Sequence, residues 1–139
     1  MSRQELVTFL SREQTADLVA LAERTRQRLS TLAGHEVSYG VEAMQLLDEW
    51  IDDYLERSPD PPPQARLQWV SLLGEMFRRR HDGWWALRDS ALIVVCPTDS
   101  GERCPVRVQD QVDRRIASGM SESLAYFYDV TRIELKLEH

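Results

Sequence analysis

At Asp82-Gly83 the apolar pattern of this 139-residue chain changes period. Before that point apolar residues recur every three or four positions, as on helix faces. After it come short runs rich in aromatic and β-branched residues, the pattern of strands. A chain with that switch must pack helices against a sheet. The segment order predicts an α+β fold: N-terminal helices, a small antiparallel meander of about three strands, then two short C-terminal helices.

Local signals place the elements. Ser11 and Gln14 form an S-x-x-Q capping box, which starts a helix over about 13–32 that Gly34 stops. Its apolar stripe is Leu18, Leu21, Ala22, Leu29 and Leu32, with Glu23, Arg24, Arg26 and Gln27 on a solvated face. A second helix, 41–57, has the stripe Met44, Leu47, Ile51, Tyr54 and Leu55. Asp48, Glu49, Asp52, Asp53 and Glu56 lie opposite it. No histidine accompanies these acids, so they read as solvated and not as a metal site. The proline run 58–63 breaks the helix and acts as a connector. A third helix over 64–80 buries Leu67, Val70, Leu73, Met76 and Phe77, with Trp69 and Leu72 widening that face, which makes it central.

Strands follow at 84–88 and 91–96, separated by Asp89-Ser90, and a shorter one at 104–108, where Pro105 favours a sheet edge. Helices are expected at 110–117 and 122–131, the second capped by Ser121 and burying Leu124, Phe127 and Tyr128. Ile133 and Leu135 alternate weakly, as a fourth strand or a tail. The expected core joins Leu73, Phe77, Trp85, Ile93, Val95, Leu124 and Phe127. Residues 1–136 read as one domain. Leu137-Glu138-His139 looks like an expression-tag remnant and is set aside.

Composition excludes several function classes. The net charge of −6 argues against a nucleic-acid binder, whose affinity comes mostly from neutralising phosphates. No apolar run approaches the roughly 20 residues that cross a bilayer. No signal-peptide core follows Met1, so the expected location is the cytoplasm. Cys96 and Cys104 fit neither a disulfide scaffold nor a zinc pattern and are expected as reduced thiols. Neither His35 nor His81 sits in an H-x-x-x-H pair, and the glycines are scattered, so no metal or cofactor is expected.

The motif elements Leu73-Gly74-Glu75, Arg79, Gly83 with Trp85, Pro105, Val112, Arg115-Ile116, Gly119, Ser123-Leu124 and Phe127-Tyr128 form a recurrent set. With them the stretch 67–128 resembles an uncharacterised bacterial family, a domain of unknown function. The resemblance implies a fold and brings no catalytic residues.

The candidate site residues cluster at the period switch. Glu75 sits among apolar neighbours with Arg78 and Arg79 at i+3 and i+4, so it reads as a buried carboxylate paired along its helix. The competing role is a general base or ligand anchor. Gly74 beside it suggests close approach by another element. His81 and Asp82 end the helix without a serine in a nucleophile elbow. Arg78-Arg79-Arg80, Arg88, Arg107, Arg114 and Arg115, with Trp84 and Trp85, could form a stacking basic patch. Against it, three consecutive helical residues cannot share a face. Small size, acidity, missing catalytic motifs and surplus aromatics favour a non-catalytic protein-interaction, regulatory or immunity-type module whose partner is another protein. The alternative is a small-ligand binder or enzyme with Glu75, Arg79, His81 and Trp84 around one cleft.

Overall fold

The computed structural model describes residues 7–137; the first six residues and Glu138-His139, which hold the expected leader-free start and most of the tag remnant, lie outside it. The elements run β1 (Val7–Phe9), α1 (Arg12–Ala33), α2 (Val41–Arg57), α3 (Pro63–Arg80), β2 (Trp84–Arg88), β3 (Ala91–Pro97), β4 (Arg103–Val106), α4 (Val108–Ser118), a 3-10 turn (Gly119–Glu122) and α5 (Leu124–Leu137). The fold is α+β as expected, with four strands where about three were expected.

Both halves of the capping box form: Gln14 N donates to Ser11 Oγ at 3.0 Å and Ser11 N to Gln14 Oε1 at 2.8 Å. Gly34 ends α1 in the left-handed region at φ 79°, which glycine adopts without a Cβ penalty. Pro63 begins α3, where its missing N–H has no helical partner to lose. From Trp69 to Phe77 every residue of α3 is buried, so this helix is central on all sides. Its Leu67 is the exception to the expected stripe, exposed in the first turns together with Leu32 at the end of α1.

The sheet order is β1-β2-β3-β4, each neighbouring pair antiparallel. Asp89 and Ser90 both have positive φ, the signature of a type I′ turn whose twist matches the strands it joins. β1, which sequence reading missed, pairs Phe9 with Ala86 and Val7 with Arg88.

Pairing register divides the sheet into two faces. Trp85, Val94, Cys96 and Val106 join the helical core, which also holds Leu73, Phe77 and Leu124. Ala86, Ile93 and Val95 form a separate cluster on the outer face. The expected grouping of Ile93 and Val95 with Phe77 is therefore wrong. Alternate residues of a strand point to opposite faces, so choosing Trp85 for the core puts Ile93 and Val95 outside. Phe127 is only half-buried, packed edge-on to Phe77 with ring centroids 6.1 Å apart.

The C-terminal helices differ from expectation in extent. α4 starts at Val108, and α5 continues to Leu137, taking in Ile133 and Leu135; neither a fourth strand nor a free tail exists there. Helical spacing buries Leu135 and leaves Ile133 partly exposed.

Candidate functional site

Glu75 is fully buried beneath the period switch. Arg78 pairs with it through Nε and through Nη2 at 2.8 Å, and Arg79 Nε donates at 3.0 Å. Trp85 Nε1 completes the set, donating at 2.9 Å across ten residues. Burial alone would raise the Glu75 pKa, but the Arg78, Trp85 and Arg79 donors outweigh it and lower the carboxyl below its ordinary value. Gly74 explains the fit of Trp85. A Cβ at Gly74 would sit 1.9 Å from the end of the Trp85 ring, so only glycine lets that ring cross α3. The carboxylate is thus spoken for by protein donors, as a structural group would be.

The arginine triplet disperses as helix geometry demands. Arg78 and Arg79 turn to Glu75, and the Arg79 guanidinium also lies 4.1 Å over the Tyr39 ring. Arg80 donates instead to the Tyr39 carbonyl at 3.0 Å. Tyr39 in turn donates to Glu23, which also receives two bonds from Arg26. The Arg26 guanidinium holds Glu23 down at about pKa 2 against the opposing effect of burial. Arg26, expected on a solvated face, is buried because it also binds the Val37 carbonyl at 2.6 Å.

His81 caps α3 through its backbone N–H and packs against Phe77 and Tyr128, with Nε2 3.4 Å from the Tyr128 hydroxyl. Burial lowers its pKa, with Lys136, Arg80 and Arg132 adding to the effect and Asp82 opposing it. Trp84, one residue before the buried Trp85, points the other way. It is 68% exposed on the outer sheet face. There it lines a recess of about 560 Å³ with Phe9, Leu10, Asp82, Val95, Pro97 and Arg103. The four sequence candidates therefore do not share a cleft: Glu75 is enclosed on the helical side and Trp84 stands on the opposite face.

Sequence reading missed the polar centre of the C-terminal half. Asp48, expected on a solvated acidic face, is 2% exposed. Its Oδ1 accepts from Arg115 Nε at 2.8 Å and Leu124 N at 3.0 Å. Its Oδ2 accepts from Ser123 Oγ at 2.8 Å and Ala125 N at 3.0 Å. One carboxylate thus caps α5 and pairs α4, in place of the expected Ser121 cap. Arg115 is itself fully buried, so it cannot belong to a surface basic patch. The only local hint was the weak one that Asp48 sits one position from the apolar stripe at Leu47.

Among the described residues no group of three or more histidine, cysteine, aspartate or glutamate side chains is placed to hold a metal ion. No described helix is long and apolar enough to cross a membrane. Comparison with known proteins gives no match: no family model, no curated protein and no solved structure matches the chain.

Proposed function

We propose that this chain is a non-catalytic protein-interaction module, regulatory or immunity-type, that works in the cytoplasm by receiving another polypeptide on its outer sheet face. One observation carries the reading: that face is apolar where a one-sided antiparallel sheet is ordinarily polar. Trp84 and Phe9 are exposed on it at 68% and 46%, around buried Ala86, Ile93 and Val95. Exposed aromatic patches mark contact surfaces, and tryptophan is the residue most enriched among interface hot spots. The recess beneath Trp84 suits an apolar anchor, with Asp82 and Arg103 at hand for polar contacts. The chain's −6 charge favours a basic partner by raising its encounter rate.

The motif set quoted above supports membership in the uncharacterised bacterial family, and it stands on those residues alone. A cleft shared by Glu75, Arg79, His81 and Trp84 finds no support, since Glu75 spends its acceptors on Arg78, Arg79 and Trp85.

The test is capture of a partner from the native host, its identification, and titration of the purified pair. Trp84→Ser should weaken binding at least tenfold, as truncation of a central aromatic anchor does. Equal affinity for wild type and Trp84→Ser would end the outer-face reading.

A further inference from the structure

We propose that Cys96 and Cys104 form a redox-modifiable dithiol, which a small-molecule disulfide oxidises through Cys104 to a bond joining β3 and β4. The carrying observation is register. Cys96 and Cys104 are direct partners in the antiparallel pair, between the rungs Val95–Pro105 and Pro97–Arg103. Directly opposed residues project to the same face, with Cα atoms roughly 4.5–5.5 Å apart. That spacing falls inside the roughly 4.4–6.8 Å range disulfides use. On the β2 side, Gly83 adds no side chain beside the Cys96 sulfur: a Cβ there would stand 3.1 Å from Sγ. Both residues are thiols in the structure.

The two sulfurs differ in access, and this orders the chemistry. Cys104 is half-buried and reachable; Cys96 is fully buried. Burial, with Cys104 close by, pushes the Cys96 thiol up to about 12, so it is a poor first nucleophile. With oxidised glutathione as the oxidant, the Cys104 thiolate attacks one oxidant sulfur. The oxidant's S–S bond breaks and one glutathione thiolate leaves. Cys96 then loses its proton and attacks the Cys104 sulfur of the mixed disulfide, releasing the second thiolate. The two protons from the cysteines end on the two glutathiones. Two cysteine thiols are oxidised and one glutathione disulfide is reduced. The product ties the edge strand β4 to the sheet covalently.

Intact-mass measurement and thiol titration on the whole folded protein, incubated with oxidised glutathione, test this. Wild type should lose both thiols and two hydrogens in mass, retain no glutathione and stay monomeric. Cys96→Ala should hold one glutathione on Cys104. Cys104→Ser should lose its remaining thiol at least tenfold more slowly than wild type loses its first. Stable glutathione on wild type without an internal bond, disulfide-linked dimers, unreactive thiols, or equally fast modification of Cys104→Ser would each overturn the proposal. Cys104→Ser changes only a half-buried position, so a folding failure of Cys96→Ala leaves the test intact.

Discussion

Asp48 should be the most sensitive polar position in the chain. Asp48→Ala removes one partner of a buried ion pair and leaves the fully buried Arg115 guanidinium short of its main acceptor. Such a loss costs about 3–5 kcal/mol. The same change uncaps α5 by stranding the Leu124 and Ala125 N–H groups, a loss of about 1 kcal/mol for a helix cap. The two effects share one carboxylate and do not simply add. Asp52 still holds Arg115 Nη2 at 2.6 Å, which moderates the total. We expect about 4 kcal/mol for Asp48→Ala. For Asp48→Asn we expect about 2–3 kcal/mol: it keeps the shape and one acceptor, but its amide group faces donors that then lack an acceptor. Urea unfolding followed by far-UV circular dichroism measures both, with an unchanged m-value confirming that stability alone has moved. Asp53→Ala, on the exposed side of the same helix, is the control and should shift stability by less than about 0.5 kcal/mol. A loss under about 1 kcal/mol for Asp48→Ala, or parity with Asp53→Ala, would refute the assignment of Asp48 as the joint between α2, α4 and α5.

Glu75→Gln should be milder than Glu75→Ala, because alanine strands the buried Trp85 N–H at a cost of about 1–3 kcal/mol; equal stability of both variants with wild type in urea melts would show that Glu75 is not structural. The folded pKa of Glu75 lies below its unfolded value, so its ionic contribution is present above the ordinary carboxylate range, about 4.3, and is lost as pH falls through the folded value. The stability gap between wild type and Glu75→Gln should therefore shrink in acid, and a gap that widens below about pH 4 contradicts that sign. Gly74→Ala gains about 1 kcal/mol of helix propensity but drives a methyl into the Trp85 ring, so thermal melting should show net destabilisation of about 1–3 kcal/mol, and a stabilised variant would mean the ring lies elsewhere. Trp84→Ser should leave the melting temperature nearly unchanged, whereas Phe77→Ala, fully buried, should cost about 3–5 kcal/mol; a reversal of that order would put the wrong residue in the core.

What was legible in the sequence was local. The α1 capping box, the bounds of α2 and the Asp89-Ser90 hairpin are each set by residues within four positions of one another. The Glu75 cluster was readable for the same reason, its arginines lying at i+3 and i+4 and its tryptophan just past a tight turn. What was missed depends on partners far along the chain. β1 is three residues whose only reason to be a strand is β2, some eighty positions away. Asp48 looked solvated because Arg115 stands 67 residues further on. Arg26 looked solvated because its buried acceptor, the Val37 carbonyl, lies in a loop with no periodicity of its own.

The outer sheet face sits between these cases, and its signal was present but misassigned. Residues 91–96 are apolar without alternation, which is how a strand reads when both of its faces are to be covered. With Trp85, Val94 and Cys96 committed to the helices, Ile93 and Val95 had to take the other face, where they form a buried cluster with Ala86 and leave Trp84 and Phe9 exposed. The same parity makes the doubled tryptophan intelligible: one ring must enter the core and its neighbour must leave it. Trp85 is fixed inside by Glu75 and by the absence of a side chain at Gly74, so Trp84 is held outside by a backbone it cannot turn. On the interaction reading proposed above, a tryptophan held in place by its bonded neighbour Trp85 is what would let a small apolar patch bind without a large entropic cost.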